Sequence, residues 1–153
     1  MFGEKLIFGQ KEVSIDDKGR ITLPAFTHAE PTDEVSFVYP ENGDYIRIFL
    51  YHKIETLMNI MIDKQINTSD LKLMEDIQNA INNLQSLCIG TATLDKQKRV
   101  IVPKHVRERL KLESSVEIIG ATDTVYTTNI ISGATNLILP CVKIYKYKNK
   151  EVI

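Results

Sequence analysis

The chain carries one short stretch twice. Residues 13–24, VSIDDKGRITLP, return as residues 92–103, ATLDKQKRVIVP. Asp16, Arg20 and Pro24 recur as Asp95, Arg99 and Pro103, each 79 positions later. The apolar positions Ile15, Ile21 and Leu23 recur as Leu94, Val100 and Val102. An internal repeat sets the architecture before any local propensity does. Two copies are too few for a solenoid, so the natural solution is one pseudo-two-fold unit built from two halves. Each copy reads as strand, tight loop, strand. Val13 and Ile15, then Ile21 and Leu23, alternate with polar residues at the period of a half-buried strand. Asp17-Lys18-Gly19 is a turn signal, since glycine accepts positive φ and aspartate bonds nearby backbone.

Proline ends each strand and can open a helix as its first residue. After the second copy the sequence predicts that helix over Pro103 to Leu110. After the first, Pro24 to Ala29 predicts a shorter one that stops before Pro31. Val35 to Tyr39 and Tyr45 to Phe49 read as strands around a turn containing Asn42-Gly43, a strong hairpin signal. In the second half Val116 to Ile119, a turn at Gly120 to Thr124, and Val125 to Thr127 read the same way. Asp44 and Asp123 also stand 79 apart, so the register is expected to persist past the loops.

Two helices are expected between the copies. Ile54, Leu57, Met58, Met61 and Ile62 form one amphipathic face, with the methionines as core filler. Met74, Ile77, Ile81, Leu84 and Cys88 step by three and four residues in a narrow stripe. Residues 67–70, NTSD, offer N-caps for that second helix. The organisation read from these signals is 1–51, first repeat; 52–88, helical hairpin; 89–128, second repeat; 129–153, a C-terminal extension. The basic, aromatic run from Pro140 to Lys150 reads as an edge strand or frayed tail whose lysines discourage aggregation. Its alternative is a segment that contacts phosphates and stacks on bases.

The D-x-x-x-R loop followed by an apolar strand and proline resembles the SpoVT/AbrB swapped-hairpin family. Two copies separated by a helical segment, with Phe37-Val38-Tyr39-Pro40 behind the first, resemble its MraZ members over residues 2–128. The resemblance implies an α+β fold: two intertwined swapped-hairpin β half-barrels with pseudo-two-fold symmetry and a helical hairpin between the repeats. It also implies a transcriptional regulator that binds double-stranded DNA as a homo-oligomeric ring in the cytoplasm, on the nucleoid. The chain departs from the pattern in three places. Lys98 stands where the first loop has Gly19, which points to a different turn geometry in the second loop. Residues 124–128 replace an aromatic-rich ending, and residues 129–153 have no counterpart.

On such a scaffold the two loops lie near each other. Arg20 and Arg99 then carry the chemistry, because the guanidinium fork matches guanine O6 and N7 in the major groove. Lys18, Lys96 and Lys98 beside them would neutralise phosphates, and Gly19 shapes the first turn. Asp16 and Asp95 have the wrong charge for DNA. Their expected role is to fix the loop through its backbone amides or to hold the arginine. The plainer alternative is an Asp–Arg pair that only closes a turn. Lys104, Arg107 and Lys111 share a helix face, either phosphate-facing or merely solvated. The second half is thus the more basic, and unequal loops are expected.

Composition narrows the other classes. The 153 residues are 43% hydrophobic and 25% charged, close to ordinary globular domains. Net charge is −1, so any DNA affinity must come from local patches. Residues 1–9 have too short an apolar run for a signal peptide. No run of about 20 apolar residues exists; the richest candidate, 130–145, is broken by Ser132, Gly133, Asn136 and Pro140. Cys88 and Cys141 lack metal-ligand spacing and fit a reducing compartment. His28, His52 and His105 have no triad or metal partner in sequence, and no phosphate loop or nucleophile elbow occurs. An enzyme, a cofactor, a metal and a small-molecule substrate are therefore not expected. The rival to DNA binding is an oligomeric protein-interaction module, antitoxin-like or a scaffold, using helices 52–63 and 69–88 as its working surface.

Overall fold

The computed structural model describes residues 6–40, 43–123 and 139–147. The chain is α+β. Among the described residues the strands are β1 (Gln10–Ser14), β2 (Arg20–Thr22), β3 (Glu34–Val38), β4 (Tyr45–Leu50), β5 (Cys88–Thr93), β6 (Arg99–Ile101), β7 (Ser115–Asp123) and β8 (Leu139–Lys146). The helices among them are α1 (Tyr51–Ile66), α2 (Leu71–Leu87) and α3 (Lys104–Arg109), with a 3-10 turn at Ala25–Thr27. Six strands make one antiparallel sheet in the order β1-β7-β8-β4-β3-β5, and β2 pairs with β6 in a separate two-stranded ribbon.

Each strand of a loop copy pairs with the opposite half. β1 runs against β7, β5 against β3, and β2 against β6. The backbone between them repeats the pattern: Leu23 N donates to Lys98 O at 3.0 Å and Val102 N donates to Gly19 O at 2.8 Å. Neither copy can satisfy its own backbone groups alone, and buried backbone groups left unpaired are costly.

The sheet is the middle of three layers. One face packs on the ribbon and α3 through Ile21, Leu23, Val100, Val102, Val106, Ile46, Ile48, Val116, Ile118 and Ile144. The other face packs on the helical hairpin through Val38, Phe49, Leu57, Met61, Ile77, Ile81, Leu84 and Cys141. Alternation along β4 and β8 assigns the two faces: Ile46, Ile48, Val142 and Ile144 to one, Phe49 and Cys141 to the other. Full burial of each such aliphatic side chain contributes about 1.5–3 kcal/mol, which seats the ribbon firmly on the sheet.

The helices follow their periodicity with small differences. Ile54, Leu57 and Met61 are buried and Met58 half-buried, but Ile62 at the end of the expected face is 40% exposed. Asp70 caps α2, accepting from Lys72 N at 3.0 Å and Leu73 N at 3.2 Å. Cys88 caps the C-terminus of α2, its backbone N–H donating to Leu84 O, and at the same residue opens β5.

Three sequence expectations are corrected beyond the second loop. The 79-residue register does not persist. Ser14 faces Ser115 while its repeat-mate Thr93 faces Glu34, so the strand at 34 corresponds to one at 115, a shift of 81. The extra length falls where α3 spans six residues and the 3-10 turn spans three. No turn occurs at Gly120; β7 runs through it to Asp123. The tail is neither an edge strand nor frayed over its described residues. β8 lies inside the sheet, between β7 and β4, where Val142 and Ile144 are 4% and 0% exposed. In the sheet order β8 stands opposite β4, as β7 stands opposite β3 and β1 opposite β5. The strand expected at 125–127, the first residue of the Asn42-Gly43 turn and the last residues of the tail lie outside the described residues.

Candidate nucleic-acid interface

The two loops have one architecture. Asp16 Oδ1 accepts from Lys18 N at 2.9 Å and Arg20 N at 2.8 Å, while Oδ2 accepts from Arg20 Nε at 2.7 Å. Asp95 Oδ1 accepts from Gln97 N and Arg99 N, each at 2.8 Å, and Oδ2 accepts from Arg99 Nε at 2.7 Å. One carboxylate thereby bonds the turn's backbone amides with one oxygen and the arginine with the other. Charge-assisted bonds of this kind are the strong ones. Backbone bonds complete each loop: Gly19 N and Lys98 N donate to Asp16 O and Asp95 O.

These contacts hold the Asp16 carboxyl down to about 2, the Arg20 backbone amide first and its guanidinium next. Asp95 is lowered in the same direction, chiefly by the Arg99 backbone amide. A depressed carboxylate stabilises the loop fully above the usual value of 3.8 and loses that contribution as pH falls through about 2. Both loops are therefore locked at neutral pH.

Only Nε of each arginine is committed. Neither Arg20 nor Arg99 makes a hydrogen bond from Nη1 or Nη2 among the described residues, and both side chains stay about a third exposed, 30% and 33%. The ribbon aims them outward. Arg20 faces Ile101, Ile21 faces Val100 and Thr22 faces Arg99. Ile21 and Val100 are buried at 1% and 2%, so alternation puts Arg20, Thr22, Arg99 and Ile101 on the outer face. Diagonal neighbours on such a face lie about 7–8 Å apart, which is the relation between Arg20 and Arg99.

Lys18 and Lys96 are exposed and Lys98 is half-buried. The first loop balances Lys18 and Arg20 against Asp16 and Asp17; the second sets Lys96, Lys98 and Arg99 against Asp95 alone. The second loop is thus the more positive of the two.

Lys98 corrects another expectation. Its φ is 61°, left-handed like the 81° of Gly19, so the second turn keeps the first turn's geometry and carries the strain in a lysine. The difference between the loops lies elsewhere. A Cβ on Gly19 would come within 2.6 Å of Arg107 Nε, and that Nε donates to Val102 O at 3.0 Å. Arg107 lies across the first loop as a clamp from the second half, a role that its place on a basic helix face does not reveal. Its neighbours on that face differ: Lys104 and Glu108 approach at 3.9 Å, and Lys111 is exposed. Arg109 stacks 4.0 Å from the Tyr39 ring centroid, a cation–π contact.

Gly19→Ala is expected to lower stability by about 1–2 kcal/mol through left-handed strain, plus the displaced Arg107. Lys98→Gly is expected to leave stability unchanged or raise it. Urea unfolding midpoints of the two variants check this; a midpoint for Gly19→Ala equal to that of the parent chain would refute the clamp.

Among the described residues no three His, Cys, Asp or Glu side chains gather as metal ligands, and no helix is long and apolar enough to cross a membrane. No family model matches the chain. The sequence is 30% identical over 120 residues to the transcriptional regulator MraZ of Caldanaerobacter subterraneus subsp. tengcongensis, covering 78% of each chain. It is equally similar, over the same length and coverage, to the transcriptional regulator MraZ of Thermoanaerobacter pseudethanolicus. The MraZ of Heliobacterium modesticaldum is 30% identical over 125 residues, 76% of each chain. Each of these relatives is a transcriptional regulator. The chain belongs to the MraZ family.

Proposed function

We propose that the chain is a sequence-specific DNA-binding regulator that inserts the β2–β6 ribbon into the major groove. One observation carries this reading: each aspartate holds its arginine by Nε and leaves the Nη edge open on the ribbon's outer face. A two-stranded ribbon fits the major groove, and an Nη1/Nη2 fork matches guanine O6 and N7. A spacing of about 7–8 Å is close to two base steps of about 3.4 Å, so Arg20 and Arg99 would reach guanines two steps apart. Lys18, Lys96 and Lys98 would neutralise flanking phosphates. The cross-half strand pairing supports the swapped-hairpin architecture, with the second repeat running to Lys146.

With net charge −1, one subunit gains little from bulk attraction. A homo-oligomeric ring would supply several ribbons at high effective concentration. Ile66 and Leu71, 73% and 79% exposed where α1 turns into α2, offer apolar surface for the subunit contacts. The same surface is what a protein-interaction module would use, and that module remains the rival function. The working place of the regulator is the cytoplasm, on the nucleoid.

Selection of duplexes from a random pool, with sizing of the free protein, tests the reading. An enriched sequence is expected, with the logarithm of affinity falling against log salt by about 0.9 per phosphate neutralised. No enrichment, or an affinity indifferent to salt, would sink it in favour of the interaction module.

A further inference from the structure

Ile101 is an apolar side chain where a solvated ribbon has no use for one. It is 53% exposed, directly opposite Arg20, and its strand neighbours Val100 and Val102 are 2% and 0% exposed. The sheet therefore already receives its apolar contribution from the residues on either side. The repeat-mate of Ile101 is Thr22, on the same outer face opposite Arg99. Each arginine thus has a β-branched partner directly across the ribbon, and only one of the two partners is wholly apolar.

Directly opposed side chains have Cβ atoms about 4.5–5.5 Å apart. With the ribbon in the groove, a contact made by Ile101 falls on a base beside the one that Arg20 reaches. The thymine 5-methyl is the apolar group that a base edge presents in the major groove. A β-branched side chain is stiff at χ1 and loses little freedom on contact. Building on the ribbon as the DNA-contacting element, we propose that Ile101 is a specificity-determining residue that packs on the 5-methyl group of a thymine next to the guanine contacted by Arg20. Thr22, with a hydroxyl beside its methyl, accepts more bases, so the two halves of the ribbon make unequal demands on sequence.

The test uses the full chain and the duplex enriched from the random pool. Each thymine is replaced in turn by deoxyuridine, which deletes only the methyl, and affinity is measured for the parent chain and for Ile101→Ser. Ile101 lies at the surface, and equal melting temperatures establish that the variant is folded. One replacement is expected to weaken the parent chain about fourfold, the effect of one methyl-sized burial, and to leave Ile101→Ser unaffected. If no replacement weakens the parent chain, or if the variant loses the same factor, the assignment fails. Arg20→Ala on the same duplex separates the two levels. A loss there with inert replacements condemns Ile101 alone; no loss there condemns the ribbon itself.

Discussion

Arg20→Ala is expected to weaken specific duplex binding by about 1–3 kcal/mol, the discrimination carried by one bidentate base contact. Arg99→Ala is expected to do the same at a different base. The geometry also predicts how lysine behaves. Arg20→Lys keeps the charge, but it loses the planar fork and the Nε donor that Asp16 holds at 2.7 Å. A lysine has no second edge to present once its ammonium is paired. Arg20→Lys should therefore sit near the alanine variant in affinity while retaining its salt slope. Asp16→Asn should loosen the loop without removing the arginine. Titrations on the selected duplex against one altered base pair read all of these. If both alanine variants bind as the parent chain does, the loops are not the reading elements.

The second large effect concerns stability. Ile144→Ala is expected to cost about 2–5 kcal/mol, the range for a large aliphatic truncated in a core. A domain of ordinary size has only about 5–15 kcal/mol in total. Ile144 is fully buried at 0% exposure, paired with Ile118 on one side and Ile46 on the other. Lys146, two residues on, is exposed, and Lys146→Ala should stay within about 0.5 kcal/mol of the parent chain. Thermal or urea unfolding of the pair decides the matter. Equal midpoints would mean that β8 is not the inner strand of the sheet.

The arginine loops and β8 mark where the sequence is readable and where it is not. The Asp–Arg loops are legible because their chemistry needs those residue types at a fixed spacing of four. The helices are legible because Ile54, Leu57 and Met61, and Ile77, Ile81 and Leu84, keep a helical period. β8 is not. The alignment of the halves slips by two residues at α3, and the strand that stands opposite β4 lies beyond residues 124–138. A constant offset of 79 therefore points at Val125 to Thr127, and Val142 and Ile144, interleaved with Lys143 and followed by Lys146, read as an edge strand or frayed tail. Lys98 misleads because glycine is the only clear sequence signal for positive φ, while a turn closed by Asp95 imposes it on lysine. Arg107 escapes notice because a guanidinium laid on a backbone peptide leaves no pattern in composition.

The pairing of every loop strand with the opposite half has a consequence for how such a protein can change. Were the two fingers supplied by separate identical subunits, any substitution in one would appear in the other, and the recognised site would have to be a palindrome. Joined in a single polypeptide, they are free to drift apart. Here glycine stands on one side and lysine on the other, threonine in one copy and isoleucine in its mate. A covalent pair of this kind can settle on a lopsided sequence with a fixed direction along the duplex.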